Sequence, residues 1–408
     1  MRIRGIVYTV MLSVGAAGLL AVFAPQEAAA IPAFSRQTGK SCSTCHNAVP
    51  KLNQAGQNFK TNGFRFPEDG EWLDVQDLKH VPLSAEVEIE GEFNKLDRGA
   101  QSSKLKIDEI EIQMGAPLGK SGGVSVYGNA QFNPDKTVGI GQAYVQVNDL
   151  IGATGHGLLN VKMGAHDIAL PFLSHSQRVI KQRYFAQSAL GILGARARSG
   201  GDSTEAEEFI NTAVELNGQI VGDITHRYSV GAFQPQGLND ANRLGDPGIY
   251  ATYAINFLEN FNLGAIFKRD MVNGTATPGT PNPKEGLNKY GIAGEVKFGP
   301  VIATFGYFNA EATNARTLQN YMAEILFIPD KRFVVGARVD HIDQELSQSG
   351  TRTTAMGRYN ISSSVYLQGE YRVTDNVPTG AQYSTSASGT AAAGADALNG
   401  RVYLVALF

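Results

Sequence analysis

Cys42-Ser43-Thr44-Cys45-His46 sets two thiols and an imidazole within one short stretch, and it uses the only two cysteines of the 408-residue chain. That spacing suits covalent attachment of a c-type haem. Each thiol, Cys42 and Cys45, can close on one vinyl group of the porphyrin, while His46 serves as proximal ligand to the iron. Other chemistries compete for the same residues. A Cys-x-x-Cys pair in an exported protein also makes disulfides or exchanges thiols, but such pairs open a helix inside a βαβ unit, and no such pattern surrounds Cys42. A structural zinc site needs two further ligands, and only His80 lies within reach. His80 is also the nearest candidate for the distal iron position, against the plainer reading of a polar linker residue. Met114 and Met163 are alternative sixth ligands, and a thioether would raise the potential. His166 and His175 read as external loop residues or lumen contacts.

The elements that must position this motif fall into three stretches. Residues 1–30 read as a signal peptide: Arg2 and Arg4 precede an apolar run from Gly5 to Phe23, and Ala28-Ala29-Ala30 supplies a cleavage site. Residues 31–80 form a small unit around the motif. There Val49, Leu52, Ala55, Gly56 and Phe59 recur at helical spacing, Gly56 allows close approach to the porphyrin, and Gly63 suits the helix stop. So short a unit cannot bury a macrocycle alone, so the rest of the chain, or a partner, must cover it.

From Leu83 the hydrophobic period changes to two. In Leu83–Phe93 the odd positions are apolar or small and the even ones polar, so one face can meet lipid and the other water. Similar runs recur to the end of the chain. They include Lys104–Met114, where the alternation slips near Asp108 and Glu109 as at a bulge, and a final Arg401–Phe408. The count is about sixteen, which predicts a mostly β chain: residues 81–408 as an antiparallel transmembrane barrel behind a small helical haem segment. Short links at Glu259-Asn260, Gly299-Pro300 and Pro329-Asp330-Lys331 alternate with long polar ones at 234–247, 269–288, 340–352 and 374–399. In outer-membrane barrels the short turns are periplasmic, which puts the haem segment on that side or inside the barrel. Gln177–Arg198, in the long connection after the fifth strand, is readable as a helix. A soluble sandwich or a β-helix fits less well, since no short fixed repeat appears.

A net charge of −3 argues against a nucleic-acid partner. No stretch offers the roughly 20 apolar residues of a membrane-spanning helix, which leaves a barrel untouched as a possibility. Glu86, Glu88, Glu90 and Glu92 share one face of the first strand. Charges facing lipid at the midplane are destabilising, so these carboxylates should line the lumen, balanced by Lys104, Lys106 and Lys162. Their hard oxygens are also suited to transient contact with Fe(II).

Ile31-Pro32-Ala33-Phe34-Ser35-Arg36-Gln37-Thr38-Gly39-Lys40-Ser41 runs into the motif, followed by Pro50-Lys51-Leu52-Asn53 and by Phe59 to Phe64. In this segment the chain resembles the fused monohaem cytochrome c–porin family of the outer membrane, whose best-known members oxidise iron. The resemblance is close over the haem segment and only architectural over the barrel. It implies one covalently bound haem c, extracellular Fe(II) as donor, a periplasmic c-type cytochrome as acceptor and a lipid-embedded wall in the outer membrane of a Gram-negative bacterium. By its resemblance to sixteen-stranded porins, the loop after the fifth strand is expected to fold inward and narrow the pore near the haem; a solvated surface loop is the competing reading. Whether the chain is an iron oxidase or solely an electron carrier stays open. So do outward electron transfer to a mineral or other acceptor, and a porin whose haem unit is a structural plug.

Overall fold

The computed structural model describes residues 33–67, 83–96, 101–119, 122–132, 138–184, 186, 210–234, 247–273, 284–312, 317–344, 349–375 and 397–407. The signal-peptide stretch and His80 lie outside them. Sixteen antiparallel strands close into one barrel, β3 (Leu83–Leu96) pairing with both β4 (Gln101–Leu118) and β18 (Ala397–Leu407). Every two-residue run found in the sequence is one of these strands. The anticipated slip is real. Glu88 pairs with Glu109 and Ile89 with Ile107, so Asp108 is the extra residue of a bulge.

Alternation along the strands sorts the side chains by solvent. Glu88, Glu90 and Glu92 are buried inside, while Ile89, Leu105, Ile107, Ile110 and Ile112 stand on the outer wall. Closure leaves no strand edge unpaired, which is what a sheet in lipid requires. Beside the short turns the outer wall carries Phe257 against Phe261 (ring centroids 4.4 Å apart) and Phe333 against Tyr359 (5.1 Å). Aromatic rings at such a height match the girdles of membrane barrels.

Several connections expected to be long are shorter, because the ladder continues into them. The 269–288 stretch gives residues up to Asn273 to one strand and from Lys284 to the next, where Asn273 pairs with Lys284. Polar residues there still pair through their backbones above the membrane, a gain that side-chain alternation does not reveal.

The stretch after the fifth barrel strand, β7 (Leu159–Asp167), turns inward. Phe172, Leu173, Val179, Ile180 and Tyr184 are buried inside the barrel. The expected helix from Gln177 does not form over residues 177–184, which hold only the end of a single turn at His175–Gln177. The wall supplies the hydrogen bonds a helix would have made for itself. Glu370 accepts from the backbone amides of Lys181 (2.6 Å) and Gln182 (3.2 Å), Arg338 donates to the Gln182 carbonyl (2.6 Å) and Arg352 to that of Arg183 (2.8 Å). With its backbone satisfied from outside, the segment has no need to coil.

Candidate functional site

Residues 33–67 sit inside the mouth of the barrel at the short-turn end. The Cys42–Cys45 turn is followed by a small hairpin, β1 (His46–Ala48) and β2 (Lys51–Leu52), and then by a helix, Gln54–Thr61. Val49 and Leu52 therefore stand outside the helix that their spacing suggested. Asn53 starts it by accepting from the Gly56 amide at 2.9 Å, an N-cap that overrides the apolar periodicity. The helix ends as expected. Gly63 takes φ 65°, and the Phe64 amide reaches back to the Phe59 carbonyl at 2.9 Å.

Gly56 does allow a close approach, to the motif itself. A Cβ there would overlap the Cys45 carbonyl oxygen and the Leu52 side chain. The carbonyl belongs to backbone and cannot step aside. Gly56→Val should therefore cost about 1–3 kcal/mol of docking stability through overpacking. Faster proteolysis of the N-terminal segment in the folded protein would register it, and unchanged resistance would count against the packing described.

Phe34, Phe59, Phe64 and Phe66 form an aromatic cluster that continues onto wall residues Tyr127 and Tyr144, with Cys45 packed against it. Phe34 stacks on Phe64 at 4.9 Å, and Phe64 on Tyr127 at 5.7 Å. Polar ties then fix the segment around the rim. Arg65 pairs with Asp149 at 2.6 Å, Ser125 donates to the Gly63 carbonyl at 2.6 Å, and Lys51 pairs with Glu295 while also donating to the Phe172 carbonyl at 3.0 Å. Lys297 donates to the Asn47 side chain at 2.9 Å, and Arg358 donates to the Val49 carbonyl. Asp149 also accepts from the amides of Gly155 (2.9 Å) and Gly157 (2.8 Å), so one buried carboxylate holds both a turn and the segment. Arg65→Met would leave that carboxylate its two amides but no cation. A loss of about 1–3 kcal/mol is expected, read as a lower urea midpoint for release of the segment.

The donor set fits a c-type haem. His46 Nδ1 lies 3.1 Å from the Pro50 carbonyl oxygen. That contact fixes the proton on Nδ1 and leaves the Nε2 lone pair for iron. Burial pulls the imidazole down to about 4, so it is neutral at ordinary pH, the form that could ligate a metal. Cys42 and Cys45 are free, half-buried thiols. Burial, and secondarily Cys42, pushes the Cys45 thiol up to about 11. Thiol-exchange pairs need the opposite shift, so that reading of the motif loses ground.

The inward loop meets this segment. Ala48 packs on the cluster of Val179, Ile180, Ile302, Leu326, Val334 and Met356. Met114 and Met163 are withdrawn as distal ligands, because strand alternation turns both to the outer wall. His166 is a buried lumen contact at the end of β7, 3.2 Å from Tyr250 Oη. Of His175 the backbone turn is described, and no sixth ligand is identified among the described residues.

The acidic face points to the lumen as expected, but only one of its anticipated partners serves it. Lys106 lies 3.3 Å from Glu90, whereas Lys162 pairs with Glu215 at 2.7 Å. Arg401 completes the set, 3.2 Å from Glu90 and 2.9 Å from Glu92, and Lys181 pairs with Glu86 and Glu88. Both cations come from far along the chain, where sequence spacing gives no hint of contact. Glu88, Glu90 and Asp108 bring carboxylate oxygens within 4.8 Å of one another. The Lys106 ammonium already sits between Glu90 and Asp108.

No protein-family model matches the chain, and the search of curated proteins finds no relative. Solved structures do resemble it. An anion-selective porin from Comamonas acidovorans aligns with 80% of this chain and 99% of its own, at 12% identity and a TM-score of 0.56. Salmonella typhi OmpF, solved in complex with daunomycin, covers 83% and 98% at 11% identity and a TM-score of 0.57. The outer-membrane channel DcaP of Acinetobacter baumannii covers 80% and 96% at 10% identity and 0.54. At such identities the likeness concerns the fold alone. The chain has the sixteen-stranded barrel fold of these outer-membrane porins.

Proposed function

We propose that the protein is an outer-membrane electron conduit in which Cys42 and Cys45 hold one haem c and His46 ligates its iron. Extracellular Fe(II) is the donor and a periplasmic c-type cytochrome the acceptor. The observation that carries the reading is the Cys42–His46 motif lodged in the short-turn mouth of a porin-type barrel, its imidazole already oriented by Pro50. When bound, the haem would supply a one-electron acceptor for Fe(II). The chain's own residues do the rest. The phenylalanine cluster offers an apolar wall, His46 presents a neutral nitrogen, and the ties to Asp149, Glu295 and Arg358 hold the segment at the mouth.

The filled lumen disfavours the diffusion-porin alternative, since both the N-terminal segment and the inward loop occupy it. Anaerobic stopped-flow mixing of the haem-loaded protein with Fe(II) tests the proposal. Reduction of the haem absorption band is expected, followed by reoxidation on adding an oxidised soluble cytochrome c. A band that stays oxidised with Fe(II) would remove the iron donor. The haem midpoint potential would then separate inward from outward flow.

A further inference from the structure

A second site lies beside the haem segment and is independent of the haem reading. Between the Gln54–Thr61 helix, the inward loop and the wall from β6 (Val138–Ile151) to β10 (Gly248–Phe257) is a cavity of about 100 Å³. Three cations line it, Lys60, Lys162 and Arg227, against two carboxylates, Asp167 and Glu215. Glu215 is already saturated. It pairs with Lys162 at 2.7 Å and accepts from Asn217 at 2.9 Å and from Tyr250 at 2.7 Å. Ser174 donates to Asp167.

Two of the cations are left over. Lys60 reaches only Ser176 Oγ, at 3.5 Å, and forms no ion pair with a described carboxylate. Arg227, 3% exposed, spends Nη2 on Asn58 at 2.5 Å, while its Nε is buried without a hydrogen-bond partner. A buried cationic donor on a residue that lines a polar cavity is costly unless something accepts from it. The three cations of the lining outnumber its two carboxylates. Burial, and secondarily the nearby Lys162, lowers the Lys60 ammonium below its ordinary range, against the opposing pull of Asp167 and Glu215.

We propose that this cavity binds one small inorganic monoanion, held between Lys60 Nζ and Arg227 Nε. Its volume well exceeds the roughly 10–15 Å³ that a single water-sized occupant needs. That suits a halide or a comparably small anion and leaves room for water on the orphan oxygens of Gln57 and Gln177. Arg227 stands on β9 (Ile224–Phe233) and Lys60 on the segment, so the anion ties plug to wall.

Bromide is the probe. Crystals of the full protein grown in bromide should show an anomalous peak within hydrogen-bond distance of Lys60 Nζ and Arg227 Nε. In solution at constant ionic strength, replacing gluconate by bromide should raise the melting temperature. Lys60→Met should weaken that response at least about tenfold in bromide concentration, while Lys331→Met at a short turn keeps it. A cavity holding water alone in bromide crystals would overturn the proposal. So would a peak with no melting response, which marks an ion bound at crystal concentration only, or an unaltered response in Lys60→Met.

Discussion

Cys42→Ser combined with Cys45→Ser is expected to leave a barrel that inserts and folds but carries no covalent haem. On a denaturing gel stained for haem peroxidase activity, the signal at the protein's mass should fall to background. The reason is chemical: these are the only thiols in the chain, so no other residue can form a thioether. His46→Ala is the sharper test of mechanism. It keeps both thioethers and removes the nitrogen that Pro50 orients. The stain should survive, the ferrous spectrum should shift, and the rate of reduction by Fe(II) should fall by at least about tenfold, since the axial ligand sets potential and spin state. If His46→Ala matches the parent in spectrum and rate, His46 is not the iron ligand.

Deleting residues 33–67 should convert a closed barrel into an open one. The parent protein in planar bilayers is expected to pass essentially no steady ionic current, because the segment and the inward loop share the lumen. The deletion leaves the closed ring of sixteen strands untouched and removes the partners of Asp149, Glu295, Asn160 and Gln219. Those groups then face water instead of protein. Discrete openings of porin size should follow, with the inward loop alone narrowing the path. A deletion variant as tight as the parent would show that the loop, and not the segment, makes the seal. A conducting parent would restore the diffusion-porin reading.

The barrel was legible in the sequence because a period of two is its physical cause. Lipid outside and water or protein inside demand alternation at every strand, and even the bulge at Asp108 left its slip in the pattern. The hairpin at His46–Leu52 was not legible, since Val49 and Leu52 mimic a helical face while Asn53 dictates where the helix begins. The loop after β7 misled for a related reason. Its sequence is readable as a helix, yet Lys181 finds Glu88, and its backbone is held by Glu370 and Arg338. Those partners lie far away in the chain and follow no local spacing. Motif chemistry at Cys42, Cys45 and His46 needs no such knowledge. What surrounds it does.

The ties of the N-terminal segment also set an order of events during biogenesis. Val49 is clasped by Arg358, and Asn47 by Lys297, so the segment closes loops of 309 and 250 residues. Closing such loops is entropically slow, and these contacts have no wall to form on until the late strands have arrived. The two sulfurs therefore stay open to modifying enzymes for most of the assembly, and the cylinder then shuts around whatever has been attached.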